Sequence, residues 1–471
     1  MRLKSVTFKN FRCFEDLKLD LHPRLTVIVG ENGAGKTAVL DGIASGLSPV
    51  LTHLSSADQR LTGRGIKDSD FRIQAFVGAR GKDQWGVADY AQVKVEAWDG
   101  LCWDYWRPSG NAKGKEPAEK WGEIALKEHL NAISTSYKSS TPVLTPAFAY
   151  YGASRGHIEV PERLRPAKYN YEHPAAGLVD CFNPHSDFRE MLAWFDLEES
   201  SELRENKDAG EDYAPFQSLE AVRSAVVSVL GNAYRNPHFN AKHKFMLERV
   251  SDGAPMLVNQ LSQGYQSMLA LAMDFARRLA IVNSHLEYGD PYASEQISQA
   301  AMGLQLLGIN IPEPFQDALA MSSPAIMLVD EIDLHLHPSW QQRVLGDLMR
   351  TFPLTQFIVT THSAQVLSTV RRENIRVLSG NSADMPLATT YGQPSGDVMH
   401  SVMLVDPQPP IEEKHHLDRL TELVDQGYWA QPEAESLLLQ LTQVLGSDNA
   451  RLQQLQRSIQ RQTLLRGLSS T

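Results

Sequence analysis

Hydrophobic and polar positions first alternate along this chain and then give way to short, mainly apolar runs. Residues 3–8 and 15–21 alternate with a period of two, which predicts strands of a small sheet. Residues 25–29 (LTVIV), 325–329 (AIMLV) and 356–360 (QFIVT) have the composition expected for parallel strands that are buried on both faces. The pattern therefore predicts an α/β protein built on a parallel sheet.

Residues 89–106 predict a β-hairpin, because Asp99-Gly100 lies between two alternating runs. Its tryptophans could stack on bases, or they could pack one face of the sheet, which is the interpretation we favour. These tryptophans are Trp98, Trp103 and Trp106.

Helical patterns occupy much of the remaining chain. The pattern is helical from about residue 160 to 250, and residues 267–282 form one long amphipathic helix. Residues 411–471 are also helical, polar and rich in leucine and glutamine. With 471 residues, the chain is expected to form two or three lobes.

Charge and cysteine content narrow the class of protein. The net charge of −11 argues against a protein that binds nucleic acid over its whole surface. The three cysteines form no CxxC pair, which fits a reducing cytoplasm and predicts no disulfide framework. The N-terminus lacks the apolar region of a signal peptide, and no apolar run reaches 18 residues. We therefore expect a cytoplasmic protein without a membrane segment.

Residues 30–37 (GENGAGKT) match the pattern G-x-x-x-x-G-K-[ST] and lie between a buried strand and a helix. Glycines let backbone N–H groups approach phosphates, and the following helix N-terminus favours negative charge. Lys36 is expected to reach the β- and γ-phosphates of ATP, and Thr37 to hold Mg²⁺. The predicted nucleotide-binding residues here are Gly30, Asn32, Gly33, Gly35, Lys36 and Thr37.

Three further elements carry candidate chemistry. Asp330 and Glu331 end a buried strand; Asp330 is expected to steady Mg²⁺, and Glu331 to polarise the attacking water. Residues 261–266 (LSQGYQ) place small residues before a helix, which makes a second anion site or an ordinary helix cap. His362 follows another buried strand and is either catalytic, near the γ-phosphate, or structural.

These four elements, in this order, resemble the ATP-binding-cassette (ABC) ATPases. Asn10-Phe11-Arg12, LSQGYQ and the stretch DEIDLHLHP are most similar to the soluble branch that includes RecF, SMC and OLD proteins. The resemblance implies that Ser262 and Gly264 contact the γ-phosphate of ATP bound to a second copy. It also implies that Asp333 lies at the dimer interface and that Arg12 reaches the nucleotide phosphates.

The resemblance also leaves some positions open. The glutamine that such ATPases carry after the phosphate loop could be Gln74 or Gln84. LSQGYQ departs from the usual LSGGQ at two positions. His335 and His337 could suggest a metal site, but HLHP at this place looks like family scaffold.

The resemblance implies an ABC-ATPase head, with a parallel phosphate-loop sheet and an antiparallel β-subdomain, plus a helical insertion lobe and a helical tail. Residues 1–158 and 256–405 would form the two parts of the head, residues 159–255 the lobe, and residues 406–471 a tail that docks a partner or a second copy.

The type of ATPase depends on the long middle segment. Thr37 and Leu261 are 224 positions apart, which is long for a transporter ATPase. The segment shows no sustained heptads, so a long-armed SMC protein is not expected. No DxD pair follows His362, so we expect no nuclease activity in this chain.

Residues 150–155 (YYGASR) and 391–399 (YGQPSGDVM) resemble PtuA-type ATPases of Septu and retron systems. That resemblance implies anti-phage defence, a separate small HNH nuclease similar to PtuB, a homo-oligomer that is at least a head-to-tail dimer, and DNA bound directly or through the partner. A RecF-like repair ATPase and a transporter ATPase remain the alternatives. A basic cluster is either a nucleic-acid contact or a solvated surface. Its members are Arg155, Arg163, Arg165 and Lys168.

Overall fold

The computed structural model of the chain describes residues 1–56, 59–77, 83–110, 115–137, 139, 143–156, 171, 173–185, 188–208, 210–284, 291–311 and 319–469. The chain divides into two compact units, Met1–Met403 and Leu404–Thr471. Strands β1 to β15 are, in chain order, Leu3–Phe11, Phe14–Asp20, Leu25–Val29, Ile73–Val77, Asp83–Val87, Tyr90–Ala97, Cys102–Pro108, Ala147–Tyr151, Tyr234–Phe239, Phe245–Arg249, Pro255–Leu257, Ala325–Val329, Thr355–Thr360, Ile375–Ser379 and Ser382–Asp384. Helices α1 to α14 are Lys36–Gly46, Ser48–Leu54, Ile124–Ser136, Phe188–Glu205, Gln217–Val229, Gln263–Val282, Pro291–Gln305, Pro338–Gln341, Val344–Thr351, Ala364–Leu367, Ser395–Ser401, Lys414–Asp425, Pro432–Leu445 and Ala450–Ser469.

A six-stranded sheet in the order β15-β14-β3-β13-β12-β8 forms the centre of the first unit. All its neighbouring strands pair in parallel except β14 and β15. Every residue of β3, β8, β12 and β13 is buried, as expected for strands covered on both faces. The parallel strands therefore end at one edge, and the chemistry-bearing residues of the sequence follow those ends.

A four-stranded antiparallel sheet, β2-β1-β6-β7, packs against helix α1. Gly42 and Gly46 of α1 allow this contact, because a Cβ at Gly42 would lie 2.4 Å from the Phe8 ring and one at Gly46 would lie 2.8 Å from Val93. The predicted hairpin forms at Asp99-Gly100, between β6 and β7. This is the antiparallel sheet that the sequence predicted beside the parallel one.

The hairpin tryptophans have different environments. Trp103 is fully buried and donates its Nε1–H to the carbonyl of Gly46 at 2.8 Å. Trp106 lies 4.7 Å from the ammonium of Lys120, and Trp98 is 39% exposed. Trp103 is therefore a core residue and offers no face to a base.

The segment predicted to be a helical lobe, residues 159–255, contains helices and strands. Helices α4 and α5 lie in it, and a three-stranded sheet, β11-β10-β9, spans its end. Its first residues, 159–170, lie outside the described residues. The strands escaped prediction because β9 (YRNPHF) contains a proline and lacks regular alternation.

Helix α6 is fastened to the sheet by a buried carboxylate. Asp274 accepts hydrogen bonds from Arg277 at 2.7 Å, Arg278 at 2.8 Å and the hydroxyl of Tyr151 at 2.9 Å. Arg278 also donates to the carbonyls of Gly177 and Val179. All the charges of this network are paired inside the protein, which is what a buried ion cluster needs.

The second unit consists of helices α12, α13 and α14 around a small core of its own. Leucines of all three helices contribute to this core, together with Val424 and Ala434. In the part of the chain that the structure describes, no helix has both the length and the apolar character needed to cross a bilayer.

Candidate nucleotide-binding site

The loop Gly30–Gly35 joins β3 to α1 at the carboxyl edge of the parallel sheet. Gly33 and Gly35 have φ angles of +84° and +97°, which glycine adopts readily and other residues do not. A Cβ at Gly35 would lie 2.6 Å from the sulfur of Cys13 and 2.6 Å from the Phe14 ring. Asn32 and its neighbours are exposed, so the loop presents its backbone to the surface.

Lys36 folds back over this loop. Its Nζ donates to the carbonyls of Gly30 and Glu31, both at 2.9 Å. Burial lowers the pKa of Lys36, while the carboxylates of Asp330 and Glu331 oppose that shift. The ammonium and the N-terminus of α1 therefore bring positive charge to one point, as a phosphate site requires.

Asp330 joins the phosphate loop to two strand ends. The hydroxyl of Thr37 donates to Oδ2 of Asp330 at 2.8 Å, and the hydroxyl of Thr360 donates to Oδ1 at 2.6 Å. A hydroxyl and a carboxylate at this distance are oxygen ligands of the kind that Mg²⁺ prefers beside substrate phosphates. The residues present thus fit Mg²⁺ at the position where the sequence placed it.

Glu331 has a left-handed backbone, with a φ of +49°. Its N–H donates to the hydroxyl of Thr360 at 2.7 Å, and its carbonyl accepts from the N–H of Leu334 at 3.0 Å. A non-glycine residue in this conformation costs about 1–3 kcal/mol and persists only where its surroundings hold it. The turn after β12 is such a surrounding, and it places Glu331 beside Asp330.

Arg155 contacts the backbone of Asp330 and Glu331. It is 7% exposed, donates to the carbonyl of Gly152 at 3.1 Å and to that of Glu331 at 2.5 Å, and also donates to the carbonyl of Asp330. The prediction that Arg155 belongs to a basic surface cluster was therefore wrong for this residue. The other members of that cluster, Arg163, Arg165 and Lys168, lie outside the described residues.

Asp333 and His362 meet at the same edge of the sheet. Oδ1 of Asp333 accepts from the hydroxyl of Thr361 at 2.5 Å and from the N–H of His362 at 3.3 Å. Asp333, which the resemblance places at a dimer interface, thus fixes the loop that carries His362 within its own chain. The His362 side chain is half-buried.

The segment Leu261–Gln266, hereafter the signature, opens helix α6. Ser262 is the exposed N-cap residue of this helix, and its side chain caps no backbone N–H. Gly264 is buried, and a Cβ there would lie 2.7 Å from the carbonyl oxygen of His335. Tyr265 packs edge-on against Tyr234 and Trp340, with centroids 5.0 and 4.5 Å away. Within the described ranges, no hydrogen bond or ion pair joins Ser262 or Gly264 to the phosphate loop.

Arg12 is held by two carboxylates. Its guanidinium contacts Asp41 of α1 at 2.6 Å and Asp70 at 2.8 Å, and Arg64 pairs with the same two residues. Burial alone would raise the pKa of Asp70, but the hydrogen bond from Arg64 and its further partners lower it. The structure thus places Arg12 in an ion cluster that includes Asp41 of helix α1, while its predicted contact with phosphates stays a prediction.

The two candidate glutamines lie on the hairpin β4–β5. Gln74 accepts a hydrogen bond from Arg72 at 3.2 Å, and Gln84 is exposed on the opposite strand. This arrangement does not single out either glutamine for the nucleotide.

Comparison with known proteins agrees with this geometry. Residues 5–220 match a family described as an AAA domain, and residues 143–368 match one described as an AAA domain, putative AbiEii toxin, Type IV TA system. The chain is 25% identical over 525 residues to the retron Ec83 probable ATPase of Escherichia coli, covering 98% of this chain and 87% of that protein. The chain is an ABC-like ATPase. This ATPase is also 23% identical over 472 residues to the retron Vc95 probable ATPase of Vibrio cholerae, covering 88% of this chain and 82% of the relative.

Shorter segments of the ATPase are similar to other proteins. It is 43% identical over 56 residues to the Septu protein PtuA of Bacillus mycoides, which is 12% of this chain and 8% of that protein. Short matches to RecF proteins and to an OLD nuclease also occur. Among solved structures, the SMC head domain from Thermotoga maritima is similar at a TM-score of 0.36 and 14% identity, over 82% of this chain and 98% of that one.

Proposed function

We propose that this ATPase acts in anti-phage defence, as the nucleotide-binding subunit of a complex whose separate HNH nuclease cuts DNA. The observation that carries the proposal is the similarity to two retron probable ATPases, which extends over most of all three chains. The short match to the Septu protein PtuA supports the same class. A RecF-like repair ATPase is the second candidate, supported by the short matches to RecF.

In this proposal the carboxyl edge of the sheet binds and hydrolyses ATP. Lys36 and the backbone of Gly30–Gly35 bind the phosphates, and Thr37 and Asp330 would hold Mg²⁺, which would supply positive charge to offset that of the phosphates. Glu331 orients the attacking water and takes its proton, and His362 lies near the γ-phosphate.

The second half of the site is proposed to come from another copy of the chain. Ser262 is exposed at the N-terminus of a 20-residue helix and caps no N–H of its own chain. A long helix with free N–H groups favours an anion at that end. Two copies arranged head-to-tail would then place Ser262 and Gly264 of one copy on the ATP of the other, with Asp333 near the contact.

The first test measures ATP turnover and mass of the Glu331→Gln variant. We expect its rate to fall by roughly 10²- to 10⁴-fold, because the neutral amide cannot accept a proton from water. ATP should stay bound, and light scattering with Mg-ATP should give twice the mass of the protein without nucleotide. The exposed Glu373→Gln is the control and should behave as wild type.

Each outcome addresses a different part of the proposal. Wild-type turnover by Glu331→Gln would remove Glu331 from the mechanism. A monomer that holds ATP would leave the ATPase intact and refute the shared site. To test the defence role, the chain is expressed with its neighbouring genes and phage plaques are counted. Defence predicts more plaques with Glu331→Gln than with the wild type. Equal plaque numbers, together with ultraviolet sensitivity of the cells that carry the variant, would favour repair.

A further inference from the structure

The segment Tyr150–Arg155 (YYGASR) lies where strand β8 ends and a short 3-10 turn, Ala153–Gly156, begins. It is fixed on several sides. The carbonyl of Tyr151 accepts from the N–H of Asp330 at 2.8 Å, and its hydroxyl reaches Asp274 of helix α6. Gly152 lies so close to Pro184 that a Cβ would be 2.8 Å away, and its N–H donates to the carbonyl of that residue at 3.0 Å. The backbone that carries Arg155 therefore has little freedom to move.

Arg155 turns both terminal nitrogens onto consecutive carbonyls. Nη1 donates to the carbonyl of Asp330 and to that of Gly152, and Nη2 donates to the carbonyl of Glu331 at 2.5 Å. A planar guanidinium with its fork of N–H donors matches two acceptors side by side, whereas a lysine ammonium offers one charged point. The arginine thus forms hydrogen bonds with the backbone of both residues whose side chains are the candidate catalytic carboxylates.

The site keeps the guanidinium charged despite its burial. Burial lowers the pKa of Arg155 to about 10, and the nearby carboxylates of Asp330, Asp333 and Glu331 oppose that shift. At neutral pH the cation remains, so its bonds to the carbonyls are of the stronger, charge-assisted kind.

The backbone that Arg155 binds has an unusual conformation at Glu331. Glu331 has a φ of +49°, and the two peptides that flank its Cα are both held: its N–H donates to the hydroxyl of Thr360, and Arg155 donates to the carbonyls of Asp330 and Glu331. The side chain leaves the Cα between these two peptides, so a change of φ or ψ at Glu331 would break at least one of these hydrogen bonds and change the direction of the side chain. A residue that fixes both peptides through their carbonyls therefore limits the directions in which the Glu331 carboxylate can point.

We propose that Arg155 is a positioning residue for ATP hydrolysis, which holds Asp330 and Glu331 in their productive conformation through their backbone carbonyls and does not touch the nucleotide. The inference rests on the roles proposed above for Asp330 and Glu331. It replaces the place in a basic surface cluster that the sequence suggested for Arg155.

The test is the Arg155→Lys variant, which keeps the charge and loses the fork. We expect kcat to fall by roughly 10- to 100-fold, because a small misplacement of a catalytic group is enough for such a loss. KM for ATP should stay within about twofold, because the phosphate loop and Lys36 are untouched.

Arg24 provides a matched control at the opposite, amino end of β3. It is also 7% exposed, and it also donates to three backbone carbonyls, those of Met349, Phe352 and Thr355. Arg24→Lys should lower the unfolding temperature as Arg155→Lys does, and should leave kcat within about twofold of wild type. A purely structural role of Arg155 predicts the same kcat for both variants.

A double-variant cycle gives the second readout. If Arg155 acts through Glu331, then Arg155→Lys should slow single-turnover hydrolysis in the wild-type background and change it little in the Glu331→Gln background. Equal slowing in both backgrounds refutes the action through Glu331, and a kcat of Arg155→Lys equal to that of Arg24→Lys overturns the proposal as a whole. Slow turnover by Glu331→Gln together with fast turnover by Arg155→Lys would refute this inference alone and leave the proposed function standing.

Folding of the variant is checked first by thermal denaturation. If Arg155→Lys does not fold, Arg155→Gln, which retains an N–H₂ donor, replaces it in the same cycle. Failure of both variants to fold would overturn the proposal, because the residue would then serve the fold and not the conformation of Glu331.

Discussion

Gly33 and Gly35 make it possible to separate two reasons why the phosphate loop contains glycine: its backbone conformation and its packing. Both have positive φ angles, +84° and +97°. A Cβ at Gly33 would meet nothing within 4 Å, whereas one at Gly35 would lie 2.6 Å from both Cys13 and Phe14. Alanine at Gly33 therefore adds backbone strain, and alanine at Gly35 adds the same strain and a collision.

The expected magnitudes follow from these two terms. A left-handed non-glycine residue costs about 1–2 kcal/mol, which applies to both variants. Inserting a methyl group into a packed site costs about 1–3 kcal/mol more, and it applies only at Gly35, where the fully buried Phe14 ring cannot swing into solvent. We expect Gly33→Ala to lose about 1–2 kcal/mol and Gly35→Ala about 2–5 kcal/mol.

The assay is scanning calorimetry without nucleotide, so that lost ATP binding does not add to the shift. For a unit of this size, 1 kcal/mol corresponds to a change of about 1 °C in Tm. Gly35→Ala should therefore melt at least about 1 °C below Gly33→Ala. Equal melting temperatures would show that the Cys13–Phe14 turn moves aside freely and that packing does not select glycine at position 35.

Two further predictions concern the core. Asp274→Ala should cost about 3–5 kcal/mol, because it leaves the buried arginines of α6 without their counter-charge. Burial alone would raise the pKa of Asp274, but those arginines keep it below its usual range, so the stabilisation should be present above about pH 4 and shrink as the pH falls further. Urea titrations of the wild type and of Asp274→Ala at pH 7 and pH 3 should show this as a smaller difference in unfolding free energy at pH 3. An unchanged difference would contradict the ion cluster. Trp103→Phe should cost about 1–3 kcal/mol, because it leaves the buried carbonyl of Gly46 without its donor. Trp98→Phe is the control, and equal urea midpoints for the two tryptophan variants would contradict the assigned packing.

The local sequence pattern was sufficient to predict those parts of the fold that depend on residues close together in the chain. The strand predicted at 325–329 has those bounds, and the strand predicted at 356–360 begins one residue earlier. The phosphate loop and the Asp99-Gly100 turn were also recognisable, because only certain residue types tolerate their backbone. The convergence of Thr37 and Asp330, 293 positions apart, follows from parallel strands that end at one edge.

Long-range burial was not readable from the sequence. Arg155 looked like one of several surface basic residues, since nothing nearby in sequence shows that β8 would place it against the Asp330 carbonyl. Nothing in the sequence around Arg12 indicates its ion pairs with Asp41 and Asp70, which lie 29 and 58 positions away. The sequence around Glu331 carries no signal for its positive φ, because the groups that bind its backbone, Thr360 and Arg155, lie 29 and 176 positions away.

The order of strands in the central sheet has a consequence for how the protein is made. Strand β3, which leads into the phosphate loop, pairs with β13 through Leu25 and Phe357, about 330 residues later in the chain. At ~5–20 residues per second, a ribosome leaves β3 without that neighbour for ~15–65 s. During this interval an apolar strand edge is exposed to chaperones and to other nascent chains. A fragment that ends before residue 325 lacks Asp330 and Glu331, so any ATPase activity that depends on these residues can begin only after both have been synthesised.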